Sequence, residues 1–597
     1  MASGALFVRL TVAAASLGAL LLAARLSPDD GRTLDATMHH LGDDRTPDWK
    51  EAPEEPTAPP LEIPFESAAN AGEWLLEVSA RDVDNQWALA LNGVEFARLR
   101  PTNDELRVGR YPVPPGLVKA GRNVLAVRAV DQPKDDITVG RIVLHERSLR
   151  ELAQLGRVEV TVLDAETKQP IPARITVVDA AGAPLELFYA ERPLAAVRPG
   201  IAYTGDGVAT LEIPAGACTL WASRGMEWSA AKVEHVVVFG ETSKVELSIR
   251  REVDTRGWVA ADTHVHTLTY SGHGDASVEE RLVTLAGEGI ELAIATDHNH
   301  QTDYRPLQRA LALNAWFTPV VGNEVTTDNG HMNAFPFDPS APVPESKVTD
   351  WKALVAGIRA KGAKVVILNH PRWPEGGKDP LTNFGFDEST GLNAAGQEFT
   401  FDCIELVNSD CPTAPTNLVL PMWYALLERG LRFTAVGASD SHAVGVVVGQ
   451  GRTYVPSATD DPTKLDVDAA CEAFKRGEVS VSLGMFATIE VDGHRMGESF
   501  TPRGDEVEAV VTVRHPSWVT PRTLEIVVDR TSAATVRLDE PATGDTPTLQ
   551  VRRVRLKLAS DANWIVAVAR GDKVSAPFWP MSVPETMAIT NPVFVTR

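Results

Sequence analysis

The chain has 597 residues, with 57 Lys and Arg against 80 Asp and Glu, a formal net charge of −23, and 44% hydrophobic residues. That apolar share can fill several cores and excludes wholesale disorder, while the acidic balance excludes a nucleic-acid binder, which needs a basic footprint. The 4 cysteines are too few for a disulfide scaffold and form no C-x-x-C pair, so any metal must be held by His, Asp and Glu.

At ~150 residues per domain the length corresponds to about four domains. Residues 1–8 are nearly apolar, Arg9 is basic, and residues 10–24 carry no charge. As a helix that run would reach about 22 Å at ~1.5 Å per residue, short of a ~30 Å hydrocarbon core. Residues 1–26 are therefore expected to be a signal peptide. Ala23-Ala24 is small enough for cleavage, but Leu22 stands where a small residue is preferred, so the alternative is an uncleaved anchor. The expected location is exported: periplasmic, cell-surface or secreted. The membrane is a partner only through an uncleaved N-terminus. Residues 27–64 cluster Asp, Glu and Pro with no apolar period and read as a linker.

Residues 65–150 read as an all-β module. Trp87, Leu89 and Leu91 alternate with Ala88 and Ala90, Asn92-Gly93 signals a tight turn, and Val94 and Phe96 resume the alternation. The pattern loosely resembles galactose-binding-like jelly rolls. A structural sandwich is expected, with glycan contact as the functional alternative. In residues 151–252, Val158, Val160 and Val162 face away from Glu159 and Thr161. "VTVLDAETKQPIPARITVVD" resembles the carboxypeptidase-regulatory-like sandwich, whose role is packing or spacing.

Residues 253–486 alternate strands with helical segments. Ser277-Val-Glu-Glu280 is a capping box, followed by Leu282 and Leu285 at helical spacing. Trp351, Leu354, Val355 and Ile358, and then Leu418, Met422, Ala425 and Leu426, mark further helices. Short apolar runs lie between them at 292–295, 319–321, 364–368, 404–407 and 434–436. The pattern predicts parallel β/α units of about barrel size. Residues 487–597 return to alternation, with Val507, Ala509, Val511 and Val513, then Leu524, Ile526 and Val528, and predict a C-terminal β-sandwich.

Of the 14 histidines, 8 fall between His264 and His442. "ADTHVHT" places Asp262, His264 and His266 on one face of a strand. Further apolar runs end at Asp297-His298, Glu324, Asn369-His370 and Asp440-Ser441-His442, and His331 follows in "GHMN". In a β/α barrel such strand ends converge at one mouth. Any one of these histidines could be a satisfied core or surface residue, but random placement does not put nearly all of them just after strands. Imidazoles and carboxylates without thiolates suit Zn, Mn or Fe, and more than four candidate ligands predict more than one ion.

Together these residues resemble the PHP (polymerase and histidinol phosphatase) superfamily. The flanks "RGWVAADTHVHT", "SGHGDAS", "GNEVTTDNGHMNAFPF", "AFKRGEVSVSLG" and "ITNPVFV" are similar to its CehA/McbA-like metallohydrolase branch. The resemblance implies a distorted (β/α)7 barrel holding two or three divalent ions. It assigns His264, His266, Glu324 and Asp440 to a first metal, Glu324, His331 and His370 to a second, and His273, His298 and His442 to a third. Glu324 would bridge. Asp262 and Asp297 are expected to orient neighbouring imidazoles, and His300 falls outside the pattern.

The chemistry expected of such a site is hydrolysis by a metal-activated hydroxide, with Glu324 and Asp440 as catalytic ligands. Arg372, directly after His370-Pro371, either meets an anionic substrate group or is a surface arginine. Trp373, Tyr270 and Asn299 could line the pocket. Ser271, His273 and Ser441 supply triad residue types, but the histidines are better used as ligands. No Walker loop, nucleotide-binding glycine motif or nucleophile elbow is present. Cys403 and Cys411 could pair after export or stay separate. The expected function is an exported hydrolase of a small-molecule phosphoester or carbamate/carboxylic ester. The alternatives are a non-catalytic glycan-binding surface protein with a relic barrel, and a structural protein that uses metal only for stability.

Overall fold

The computed structural model describes residues 31–596 apart from 43–54, 58, 84–85, 101, 103–105, 131–135, 190–191, 373–378, 411–418, 541, 560–561, 576 and 580–582. The expected export segment, Trp373 and Cys411 lie outside the described residues. Cys403 is a buried free thiol, as are Cys218 and Cys471. Among the described residues no helix is long and apolar enough to cross a membrane.

The chain is multidomain and mostly β. The first sandwich packs the sheet Gly31–Leu41, Ile137–His145, Trp74–Arg81, Arg107–Val113 on the sheet Leu61–Ser67, Gly121–Ala129, Trp87–Leu91, Val94–Arg98. Leu76 and Val78 from one sheet meet Leu89, Leu125 and Val127 from the other in one core. Asn92 and Gly93 both have positive φ, 52° and 81°, as the hairpin turn requires.

Two parts of the expected linker are strands of this sandwich. In Leu61–Ser67 the residues Leu61, Ile63 and Phe65 are buried and alternate with exposed neighbours. Pro64 fits because this strand lies at the sheet edge. Gly31–Leu41 pairs antiparallel with Ile137–His145, but register shifts at Thr33/Asp35 and Asp35/Met38 break its alternation and erase the period from the sequence.

The second sandwich faces a five-stranded sheet with a three-stranded one built on Leu155–Asp164. Val158, Val160 and Val162 enter its core against Ile175, Val177 and Leu220.

In the central region, β1 (Trp258–Asp262), β2 (Leu292–Ala295) and β3 (Thr318–Val321) are parallel neighbours. A second sheet orders β4 (Asn323–Thr327), β5 (Gly330–Phe335), β6 (Val365–Leu368), β7 (Cys403–Asn408) and β8 (Thr434–Ala438). The strands β6, β7 and β8 are parallel, but β5 is antiparallel to both neighbours. The expected unbroken run of parallel β/α units is thus interrupted. The Asp328-Asn329 turn, followed by Gly330 at φ +119°, joins β4 to β5 with no helix between them. Isolated parallel bridges Val265↔Ser441 and His298↔Glu324 link the two sheets. Helices α1 (Val278–Gly287), α2 (Trp351–Ala360), α3 (Leu420–Glu428) and α4 (Val467–Arg476) pack outside, and α1 starts on the capping box of Ser277 and Glu280.

The C-terminal sandwich shares a sheet with this region. β9 (Gly451–Pro456) pairs with β1 on one side and with β10 (Ser480–Leu483) on the other, and β10 pairs with Thr586–Thr590. The buried Asn591 side chain bonds the backbone of Ala435 and Val479, fastening the tail to β8.

Candidate metal centre

Local backbone patterns deliver the ligands to one place. β1 ends at Asp262, so His264 and His266 stand just beyond it rather than within it. The Val265↔Ser441 bridge keeps that segment extended, and the alternation puts both imidazoles on one side. His298 follows β2, Glu324 lies in β4, His331 begins β5, His370 follows β6, and Asp440 and His442 follow β8. Asp440 and His370 both adopt positive φ, 54° and 23°, which costs about 1–3 kcal/mol each and persists only where surroundings enforce it. The Asp440 N–H donates to the His264 carbonyl at 2.8 Å, and the His370 N–H donates to Glu405 Oε2 at 2.6 Å.

Glu324 is the hub. Its Oε1 lies 3.1 Å from His264 Nε2, 3.1 Å from His331 Nδ1 and 3.6 Å from His370 Nε2. Its Oε2 lies 2.6 Å from His298 Nδ1 and 3.6 Å from His266 Nε2. Asp440 Oδ1 lies 3.1 Å from His264 Nε2 and 3.2 Å from His266 Nε2. Four overlapping triads could each hold an ion: His264/His266/Asp440, His264/Glu324/His370, His298/Glu324/His331 and His266/His298/His442. In each, the donor atoms lie within 4.8 Å of one another.

These residues fit divalent cations. The Nε2 atoms of His264, His266 and His442 and Oε2 of Glu324 are buried without a hydrogen-bond partner among the described residues. Unpaired buried polar atoms cost about 1–3 kcal/mol each, and these four are distributed over the overlapping triads as donors suited to Lewis acids.

The structure redistributes the expected ligands. Glu324 belongs to two triads, in keeping with a bridging role. His298 and His442 are grouped with His266 rather than with His273. His273 lies past the left-handed Gly272, is exposed, and contacts the Ser271 carbonyl at 3.3 Å through Nδ1. Its ring stacks on His442 and His298 at 4.5 and 5.0 Å, so it rims the cluster.

The supporting residues also differ from expectation. His264 Nδ1 is held by Glu405 at 3.0 Å, a residue the sequence reading passed over. A lone carboxylate inside the fully buried strand Cys403–Asn408 was the available signal. Asn408 donates to Glu405 and Asp440, and Asn369 donates to Glu324 Oε1 at 2.7 Å. Asp262 orients backbone instead of an imidazole, accepting N–H bonds from His264, Ser439 and Gly449. Asp297 acts at one remove, because Ser271 donates to it at 2.8 Å while lying 3.1 Å from His266 Nδ1.

Arg372 is not a free cation at the mouth. Its guanidinium donates to Thr382 and lies 3.2 Å from Glu388 and 3.7 Å from Asp379, whose carboxylates neutralise it locally. His300 stacks on the half-exposed Tyr270 at 4.3 Å and contacts Thr302, outside every triad. Asn299 accepts the Thr326 N–H, tying the loop after β2 to β4.

The electrostatics follow from burial opposed by neighbours. Burial disfavours the charged form of Glu324 and Asp440, but the surrounding imidazoles, His264 foremost, outweigh it and hold both carboxylates well below their usual range. For His264, burial is likewise outweighed, by Asp440, Glu324 and Glu405, and its pKa rises. Burial and the neighbouring His442 keep His266 neutral, and burial lowers His442 to about 4. His266 and His442 are thus neutral imidazoles beside ionised carboxylates, the protonation states that metal ligation requires, whereas the carboxylates around His264 favour its charged form until a cation takes the proton's place.

No family model matches the chain, and no curated protein matches it. Among solved structures, a β-glucuronidase from Bacteroides uniformis is 8% identical over 94% of this chain and 80% of its own, with a TM-score of 0.21. The FMN-binding β-glucuronidase from Facaelibacterium prausnitzii L2-6 is 10% identical over 90% of each chain, with a TM-score of 0.17. The CBM36-1 domain of a xylanase from the hindgut metagenome of Trinervitermes trinervoides is 10% identical, covers 15% of this chain and 73% of its own, and has a TM-score of 0.12. Overlaps this slight establish neither a shared fold nor a shared activity.

Proposed function

We propose that the chain is an exported metal-dependent hydrolase of the PHP superfamily, CehA/McbA-like branch, acting on a small phosphoester or a carbamate or carboxylic ester. One observation carries this reading: eight side chains from six strand ends or starts, six imidazoles together with Glu324 and Asp440, come together in four overlapping triads. A relic centre would have lost some of these donors. The β1–β2–β3 and β6–β7–β8 parallel runs, with β4 and the antiparallel β5 between them and the isolated Val265↔Ser441 and His298↔Glu324 bridges joining the two sheets, are consistent with a distorted barrel of that branch.

Two or three ions of Zn, Mn or Fe, when bound, would acidify a water and supply positive charge for a developing oxyanion. The chain's own residues set the conditions. Glu405 fixes the His264 tautomer so that Nε2 presents its lone pair. Asn369 and Asn408 hold the carboxylates of Glu324 and Asp440 in place, and Asp297 steadies His266 through Ser271. The exposed ring of His273 and the Tyr270–His300 stack stand at the rim, where a substrate would enter.

The test is metal analysis of the purified full chain combined with a panel of phosphomonoester, phosphodiester, aryl acetate and aryl N-methylcarbamate. At least two equivalents of metal and chelator-sensitive turnover of one class are expected. A metal-free preparation with full activity, or a metal-loaded one inert to every ester while binding glycans, would overturn the proposal.

A further inference from the structure

Asp275 lies in the loop between His273 and α1, buried at 4% exposure. Its carboxylate is shared by three parts of the molecule. Oδ1 accepts the Val444 N–H at 2.8 Å, two residues past His442. Oδ2 lies 3.1 Å from Arg198 Nε of the second sandwich and 3.5 Å from Arg107 Nη1 of the first. Arg198 also pairs with Glu280 at 2.9 Å, at the start of α1, and donates to the Asp275 carbonyl. On the other side of the loop, the N–H groups of Asp275 and Ala276 both reach the His442 carbonyl at 3.3 Å. Gly274, at φ +94°, allows this approach, since a Cβ there would lie 2.5 Å from the His442 carbonyl oxygen.

We propose that Asp275 is a positioning residue through which both N-terminal sandwiches hold the His273 and His442 loops in register, and so set the His266/His298/His442 ligand group. The metal part of this inference rests on the reading of the cluster as a metal centre. The sandwiches are then working parts of the site rather than spacers. An ion pair at a buried carboxylate whose other oxygen accepts the Val444 N–H is costly to break from one side. Loss of either arginine arm would be felt at His442 through Val444.

The experiment compares the full-length wild type with D275N, R107A and R107K. Hydrogen exchange is measured over residues 268–277 and 440–446, metal content at saturating Zn or Mn, and kcat and KM on whichever ester is turned over. D275N is expected to speed exchange in both loops at least ~10-fold, to lose about one metal equivalent and to lower kcat by more than it raises KM. R107A should show the same pattern more weakly, and R107K should restore wild-type values. Circular dichroism confirms that the variants are folded. Unchanged exchange and metal content in folded D275N would overturn the proposal. Absence of metal from the wild type would defeat the functional reading instead, and the exchange comparison would still decide the clamp.

Discussion

Glu405 stands 3.0 Å from Nδ1 of His264, both side chains fully buried and 141 residues apart in the chain. The contact keeps a proton on Nδ1, so that Nε2, 3.1 Å from both Glu324 and Asp440, is the nitrogen that would give up its proton to a cation. It is the arrangement of an imidazole prepared for a cation.

That contact is testable. Glu405→Gln keeps the size and an oxygen acceptor but removes the charge that steadies the ring. Metal affinity at the His264 groups should fall about 10–100-fold, with a matching loss of turnover. Isothermal titration of the stripped protein checks it, and wild-type affinity in the variant would show that Glu405 does not prepare His264 for a metal.

Glu324→Gln removes charge that two triads share. Turnover should fall at least ~10²-fold, accompanied by loss of metal. His300→Ala, outside every triad, should change both by less than about twofold. If the histidine variant were as damaging, or the glutamine variant kept its metals and activity, the map of the site would be wrong.

A pH effect is expected away from the cluster, where the second sandwich meets β1. Burial and the adjacent Glu227 push Glu291 up to about 8, against its bonds to the Ala260 N–H and the nearby Arg251 and Arg224. The folded state therefore holds a proton that the unfolded chain releases near ~4.3, so this group's contribution to stability falls as pH rises from there towards 8. Glu291→Gln should flatten the decline of the unfolding temperature between about pH 5 and 8. Parallel profiles in thermal scans of the two metal-loaded proteins would count against it.

Cells making the full chain should export it, with a new N-terminus near Ala24 or with the apolar segment retained as an anchor. Fractionation and N-terminal sequencing check this. A soluble cytoplasmic chain starting at Met1 would refute it.

The chain's own pattern marked most of the residues that gather at the candidate metal centre. Period-two alternation and apolar runs that end in His, Asp or Glu are local properties, and so His264, His266, His298, Glu324, His370, Asp440 and His442 were legible before any fold was known. The same holds for the Asn92-Gly93 hairpin and the Ser277 capping box, whose partners are a few residues away. Only the tertiary structure decided the rest. Glu405 reaches His264, Arg198 and Arg107 reach Asp275, and Asn591 reaches Ala435 across long stretches of chain. Arg372 is neutralised by Asp379 and Glu388, which nothing at Arg372 itself announces. The strand Gly31–Leu41 is hidden by register shifts that exist only against its partner. A side chain's type is written locally, but the group that satisfies its charge or hydrogen bond is chosen by the packing that brings distant segments together.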